Sequence, residues 1–103
     1  MQGAVSCEEF SVWWNSHPDV CHYCGSNLLD IQYFFKKFSG IKKWNKYFNS
    51  PHLTVDRKDS CLGYSKSNIV KSCLACNIIK GPLLTEQEAL IICPIVISRL
   101  KSL

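Results

Sequence analysis

The sequence predicts a small α+β domain that occupies residues 1–103. The chain is 47% hydrophobic and only 19% charged, which indicates a packed core rather than a disordered segment. Apolar residues recur at helical spacing near both ends, and short β-branched stretches lie in the middle. A domain of this size buries a modest share of its surface, so a cross-link would help it to fold.

Capping signals mark a helix near each end of the chain. A capping box that starts at Ser6 predicts an N-terminal helix over about 7–15. A second capping box starts at Thr85 and predicts a C-terminal helix over about 86–101, with a broad apolar face. Two further short helices are expected between these ends, over 28–38 and 41–48.

The middle of the chain is predicted to form two short strands joined by a loop. Residues 52–56 alternate in polarity and are rich in β-branched side chains, which predicts the first strand. A loop follows over 59–67 with Gly63 inside it, and a second strand is expected over 68–71. One or two helical turns then precede Gly81 and Pro82, which end them.

The seven cysteines include two C-x-x-C pairs, separated by a long insert. An odd number of cysteines disfavours a disulfide framework, whereas paired C-x-x-C spacing is typical of a tetrahedral zinc site. The alternative is that one pair is coincidental or redox-active. We therefore expect structural zinc to be bound by Cys21, Cys24, Cys73 and Cys76.

The remaining cysteines, Cys7, Cys61 and Cys93, are interpreted as small buried apolar residues. Metal thiolates indicate a reducing, intracellular compartment. The N-terminus lacks the pattern of a signal peptide, and the apolar stretch 89–97 is too short to span a bilayer, so no membrane association is expected.

Positive charge is concentrated in the middle of the chain. Residues 31–80 hold ten of the twelve lysines and arginines but only two acids, a net charge of +8 within a chain of net +4. A basic surface of this kind suits a phosphate backbone. The alternative is a lysine-rich face that is merely solvated.

The order of motifs in this region resembles the HNH nucleases. The chain reads D-R-K-D from Asp56, G-Y from Gly63, N-I from Asn68, C-x-x-C-N from Cys73, and finally Lys80. Small HNH-like proteins of phages and bacteria carry the same succession. The resemblance covers about 20–82, and the combination is far more specific than any one motif.

This resemblance implies a ββα-metal core, stapled by the four-cysteine zinc site and flanked by helices. It implies that Asp56 and Asn77 bind a catalytic Mg²⁺ or Mn²⁺ through oxygen atoms, and that Asn68 steadies the loop between the strands. Oxygen ligands suit a hard cation that must also contact phosphate. The function implied is metal-dependent hydrolysis of phosphodiester bonds.

The chain departs from the family at Arg57, where active members usually carry the histidine that deprotonates water. Arginine stays protonated at neutral pH, so it is expected to clamp phosphate instead of acting as a base. His52 could act as the base instead, but it would lie about 13 Å from Asp56 along a strand, at ~3.3 Å per residue. That distance is too long unless the chain folds back. His17 and His22 are interpreted as histidines of the surface or of the zinc surroundings.

Lysines are the expected contacts to nucleic acid, with DNA favoured over RNA as the partner. The aromatic residues interleaved with them are better explained by the core than by base stacking. The C-terminal helix could also serve a protein partner. The phosphate-contacting set is Lys36, Lys37, Lys42, Lys43, Lys46, Lys58 and Lys80.

Two other functions fit the same residues. The chain could be a non-catalytic, zinc-stabilised subunit that binds nucleic acid within a larger assembly such as a ribosome. A zinc-stabilised protein-interaction domain is a weaker alternative, because it leaves the basic segment and the Asp56–Asn77 pair unexplained.

Overall fold

The computed structural model of the chain describes residues 4–103 as five helices around one two-stranded sheet. The elements follow the predicted order, and none of the helices in this range is long and apolar enough to cross a membrane. In chain order they are α1 (Cys7–Ser16), α2 (Leu28–Phe38), α3 (Asn45–Phe48), β1 (Leu53–Arg57), β2 (Ile69–Cys73), α4 (Leu74–Lys80) and α5 (Glu86–Lys101).

Local capping explains where the longer helices begin. The predicted capping boxes are present at Ser6 and Thr85, each with reciprocal hydrogen bonds to the glutamate three residues later. A third capping box starts α2, where Asn27 pairs with Asp30 in the same way. Helix α5 spans the predicted residues, whereas α1 extends one residue further than predicted.

Strands β1 and β2 form an antiparallel hairpin, and α4 follows β2 without a break. The register places Leu53 opposite Cys73 and Arg57 opposite Ile69. The second strand therefore starts and ends later than the predicted 68–71. Helix α4 packs against both strands, α3 and α5, so it lies at the centre of the fold.

Aromatic side chains of α2 and α3 fill the core, as predicted. Phe34, Phe38 and Phe48 are buried, with ring centroids 5.2–5.9 Å apart. Trp44 meets Phe38 edge to face at 4.8 Å. The three buried phenylalanines therefore cannot stack on nucleic-acid bases.

The prediction for the remaining cysteines is correct at one position and wrong at two. Cys93 is fully buried under α4, but Cys7 and Cys61 are exposed. Cys7 is the first residue of α1 and faces solvent there, whereas Cys61 lies in the loop between the strands. No element within residues 4–103 covers either position.

A buried lysine fastens the segment after α1 to the hairpin. The Lys71 ammonium donates to the His17 carbonyl at 2.9 Å and to Asp19 Oδ1 at 2.8 Å, and it lies 4.2 Å from the centre of the Trp14 ring. Its side chain is only 3% exposed. A lysine in this setting is held by paired hydrogen bonds and by a cation–π contact.

We expect Lys71→Met to lower the free energy of unfolding by about 2 kcal/mol, because it leaves the His17 carbonyl without its donor while keeping the apolar stem. Urea unfolding followed by tryptophan fluorescence measures the change. Lys66→Met is the matched control, since the Lys66–Glu9 pair is exposed and solvent screens it. Equal losses for the two variants would contradict the anchoring role of Lys71.

Candidate metal centre and the adjoining Asp56 site

Four cysteines from two distant segments meet in one cluster. The sulfur atoms of Cys21, Cys24, Cys73 and Cys76 all lie within 4.8 Å of one another. Tetrahedral coordination with metal–sulfur bonds of ~2.3 Å requires sulfurs roughly 3.8 Å apart. The Cys24 and Cys73 sulfurs are separated by 3.8 Å, so the cluster can hold one metal ion.

Each half of the cluster is shaped by its own backbone. In the first half, Gly25 has a φ of +78° and its amide donates to the Cys21 carbonyl, which closes a tight turn. In the second half, Cys73 caps α4 and its sulfur accepts the Cys76 amide at 3.5 Å. A backbone hydrogen bond from His22 to Lys71 joins the first half to β2.

The thiols influence one another strongly. Contacts with Cys24, and then with Cys73 and Cys76, lower the pKa of Cys21. Contact with the Cys21 sulfur raises the pKa of both Cys73 and Cys76. One thiolate thus disfavours the next, and a bound cation is what makes four thiolates compatible in so small a space.

Asp56 lies near the end of β1, where two side chains bind the same oxygen. The Tyr23 hydroxyl donates to Asp56 Oδ2 at 2.5 Å, and the Lys80 ammonium lies 3.3 Å from that atom. Burial, followed by this hydrogen bond, raises the pKa of Tyr23, so the phenol keeps its proton. Both contacts are made to Oδ2, and no other residue among 4–103 bonds the second carboxylate oxygen, Asp56 Oδ1. That oxygen is therefore available to a further ligand.

Lys80 is fully buried, although the sequence suggested a contact with phosphate. Besides Asp56, its ammonium donates to the Arg57 carbonyl at 2.8 Å and to Ser60 Oγ at 3.2 Å. These three partners satisfy the charge inside the protein. The structure therefore places Lys80 behind Asp56 instead of on the surface.

Asn77 is oriented by two acceptors on β1. Its Nδ2 donates to Thr54 Oγ1 at 3.1 Å and to the Val55 carbonyl at 3.3 Å. The Thr54 hydroxyl donates its own proton to the Ser72 carbonyl, so it can only accept from Asn77. The amide orientation is thereby determined, and no donor in the described part of the chain reaches Asn77 Oδ1.

Asn68 holds the loop between the strands at its base. Its Oδ1 accepts the Asp59 amide at 3.0 Å, and its Nδ2 donates to the carbonyls of Asp59 and Gly63 at 3.1 and 2.8 Å. Asn68 is buried and contacts neither Asp56 nor Asn77 directly. Its position is that of a loop-holding residue, away from the candidate cation ligands.

Arg57 is held by the same loop. Its guanidinium donates to the Leu62 carbonyl at 3.1 Å and lies 5.0 Å from the centre of the Tyr64 ring. The contact with Tyr64 links the D-R and G-Y motifs in space. Because guanidinium has five donors, most of them stay available for an anion.

None of the three histidines contacts Asp56. His22 pairs with Glu86 at 2.7 Å, and its ring meets the Tyr23 ring edge to face. His17 bonds the Trp13 carbonyl, and His52 is exposed beside Ser50. None of the three histidines therefore lies where it could take the part of the histidine that active HNH nucleases usually carry at the position of Arg57.

Apart from the buried Lys80, the lysines predicted to contact nucleic acid divide into two groups. Lys37 and Lys58 are partly buried, and Lys37 lies over the Tyr33 and Phe38 rings and donates to the Leu103 carbonyl. Lys58 lines two open clefts of about 380 and 570 Å³ next to the end of β1. The exposed ones are Lys36, Lys42, Lys43 and Lys46.

Two features of this site were not found from the sequence. Tyr23 stands between two cysteines of the cluster, but nothing in the local pattern connects it with Asp56, 33 residues away. The burial of Lys80 was missed because lysine is rarely buried unless it is paired. One signal in the sequence could have indicated this position of Lys80. Asn77 and Lys80 are three residues apart, so they lie on the same face of α4.

Comparison with known proteins identifies the fold. Neither a family model nor a curated protein sequence matches the chain. Among solved structures, it is similar to the rare-cutting HNH restriction endonuclease PacI, with a TM-score of 0.71 over 98% of this chain and 68% of the PacI chain. The chain has the HNH endonuclease fold.

The HNH fold confirms the predicted α+β class with its cysteine cluster and ββα arrangement. Sequence identity with PacI is 21%. At that level the likeness establishes the fold, whereas the chemistry must be argued from the residues of this chain.

We expect Cys73→Ser to remove the bound metal, because three thiolates bind it much more weakly than four. The HNH core should then unfold at moderate temperature, because it loses the free energy of metal binding that stabilises the fold. Elemental analysis should find one metal ion per wild-type chain and under about 0.2 in the variant, in line with that loss of affinity. Cys61→Ser is the control, since Cys61 is exposed outside the cluster. Full metal content in Cys73→Ser would argue against a four-cysteine centre.

Proposed function

We propose that this chain is an HNH-type, metal-dependent endonuclease that hydrolyses phosphodiester bonds in nucleic acid. The observation that carries this proposal is the pair of oxygens, Asp56 Oδ1 and Asn77 Oδ1, which their neighbours leave free on adjacent elements. The HNH fold supports the assignment, because the similar protein is a restriction endonuclease that acts on DNA. Asp56, Arg57 and Asn77 form the proposed catalytic site, and Asn68 holds the loop beside it.

Zinc is the metal proposed for the cysteine cluster. Tetrahedral sites of four thiolates bind zinc or iron–sulfur clusters, and the compact sulfur arrangement here suits a single ion. No fifth ligand is supplied by the described residues, which supports a structural and not a catalytic role. Cysteines that bind zinc must stay reduced, so we place the protein inside the cell.

Mg²⁺ or Mn²⁺ is the cation proposed for Asp56 and Asn77. One carboxylate and one amide oxygen are hard ligands, and so small a protein set leaves positions for phosphate and water. When bound, the cation supplies Lewis-acid stabilisation of the charge that develops on the scissile phosphate. Tyr23 and Lys80 keep Asp56 in one orientation by holding its other oxygen.

Arg57 is proposed to bind the phosphate. In the reaction a water oxygen attacks phosphorus and one phosphorus–oxygen ester bond breaks, so negative charge grows on the phosphate oxygens. A guanidinium that is already held by Leu62 and Tyr64 can meet this charge without losing further side-chain freedom. As Arg57 does not accept a proton at neutral pH, it serves as a clamp and not as a base.

The nucleic acid is proposed to reach the site over the basic surface. The central segment is strongly positive, and Lys58 lines the clefts next to the end of β1. Exposed lysines on and after α2 would add contacts to the backbone that do not depend on sequence. DNA is the proposed substrate, because the similar structure is a DNA restriction enzyme.

A second candidate function is a nucleic-acid-binding module without catalysis. It is favoured by the replacement of the usual histidine with Arg57, and by the Lys80 ammonium, which already neutralises Asp56 from inside. Such a protein would keep the zinc-stabilised fold and the basic surface. It would bind DNA or RNA with the same strong dependence on salt.

We expect the purified zinc-loaded protein to nick supercoiled plasmid with Mg²⁺ or Mn²⁺. Asp56→Asn, which replaces a charged ligand with a neutral one, and Asn77→Ala, which removes a ligand, should each lower the rate on the order of 1,000-fold. Asn77→Ala leaves the Lys80–Asp56 pair intact, so it still reports if Asp56→Asn fails to fold. Agarose-gel nicking assays, with structured RNA in parallel, provide the measurement.

The control for this experiment is Asp59→Asn, which keeps the acceptor for the Cys61 amide and should cut normally. Binding of DNA at low salt should be unchanged in all three variants. Binding without any cleavage by the wild-type protein would favour the second candidate function instead. No binding of either nucleic acid would contradict both.

We expect Tyr23→Phe to raise the Mn²⁺ concentration needed for half-maximal cleavage about tenfold, because Asp56 loses the hydrogen bond that orients it. The rate at saturating Mn²⁺ should fall much less. Tyr33→Phe is the matched control, as Tyr33 is exposed on α2. A loss of rate that excess Mn²⁺ does not restore would assign Tyr23 to the stability of the core.

A further inference from the structure

The outward face of α5 carries isoleucines that the rest of the described chain does not cover. Its inner face is buried through Ala89, Cys93 and Ile97, which recur every four residues. On the opposite side Ile91 and Ile95 are 66% and 65% exposed, and Ile92 is 37% exposed. Three neighbouring exposed isoleucines on one helix are an unusual surface for a small protein.

This face has a symmetrical pattern of charge and apolar residues. Glu88, Ile92, Ile95 and Arg99 follow one another at intervals of four, three and four, so they form one stripe along the helix. The stripe has isoleucines at its centre, an acid near its N-terminal end and a base near its C-terminal end. Two copies of the stripe that run in opposite directions are therefore complementary, because acid then faces base and isoleucine faces isoleucine.

We propose that α5 pairs with α5 of a second copy of this chain, antiparallel and about a two-fold axis level with the bond between Cys93 and Pro94. In that register Ile92 faces Ile95 of the partner subunit, and Glu88 faces Arg99 of the partner subunit. A two-fold interface brings each contact in twice, once from either side.

A second copy is the occupant that the pattern selects. An unrelated partner would need only an apolar stripe, whereas equal distances from the centre to Glu88 and to Arg99 are required by self-pairing alone. The flanking positions obey the same symmetry. Ile91 is matched with Val96 of the partner subunit, so an apolar residue meets an apolar residue beside the axis.

Both charged groups are available for this contact. Glu88 is exposed, and its Oε1 accepts the Thr85 amide in the capping box, so that bond does not use Oε2. Arg99 donates through Nη1 to Ser102 Oγ and keeps its other donors. The stripe is short, about 16 Å at ~1.5 Å per residue, so a dimer with micromolar affinity is expected.

The dimer does not depend on the proposed nuclease activity, and its test measures assembly directly. Sedimentation velocity from about 1 to 200 µM spans the micromolar range, with zinc and a reductant so that exposed Cys7 and Cys61 stay reduced. The wild type should pass from monomer to dimer across this range. Ile95→Glu should remain a monomer, and Val12→Glu, at an equally exposed apolar position on α1, should behave as the wild type.

A double-mutant cycle on Glu88 and Arg99 tests the proposed register of the two helices. Arg99→Glu should weaken the dimer about tenfold, because it repels Glu88 at two symmetric places. In a Glu88→Gln background, which keeps the capping box, the same change should weaken it only about twofold.

Circular dichroism and metal content show that each variant is folded. A wild type that stays monomeric at about 200 µM, the upper end of the micromolar range, would overturn the proposal. So would a dimer insensitive to Ile95→Glu, or equal effects of Arg99→Glu in both backgrounds.

Discussion

The cysteine cluster fixes the distances on which the rest of the HNH core depends. Cys73 ends β2 and caps α4, and Cys76 lies in the first turn of that helix, so the sulfurs set how the helix leaves the sheet. Asn77 follows Cys76 directly. On the other side of the cluster, Tyr23 is held between Cys21 and Cys24. A metal ion held by these sulfurs would therefore help to position Tyr23, which contacts Asp56, and Asn77, which contacts β1.

The buried ion pair between Lys80 and Asp56 explains how the protein itself holds the side chains of this site in place. A charged lysine inside a protein requires partners for its protons, and Lys80 has three: the Asp56 carboxylate, the Arg57 carbonyl and the Ser60 hydroxyl. These partners lie on β1 and on the loop after it. The ammonium thus joins helix, strand and loop at one point, and it also directs which oxygen of Asp56 stays open.

Much of the fold could be predicted from local patterns. Capping boxes predicted the starts of α1 and α5, and the spacing of the paired cysteines predicted the cysteine cluster. These features are short-range or depend on one residue type, so they are visible in a single sequence. The succession of motifs from Asp56 to Lys80 led to the HNH fold, which the structural similarity confirms.

What the sequence left hidden are contacts between distant residues. The bond from Tyr23 to Asp56 and that from Lys71 to Asp19 depend on how elements pack, and no periodicity encodes them. The exposure of Cys7 and Cys61 was also missed, because cysteine is usually buried and local sequence does not show which neighbours are absent. Lys80 was misplaced for the same reason, as its burial depends on partners that fold onto it.

The hydrogen bonds of Asn68 close the loop between the strands independently of the strand pairing. Its amide closes the loop at Asp59 and at Gly63, so the residues between these points carry no part of the hairpin register. Each doubling of such a loop costs only about 0.6 kcal/mol of closure entropy. A longer segment inserted after Leu62 would lie beside Arg57, and it would leave the contact of Ser60 with Lys80 and the register of the strands unchanged.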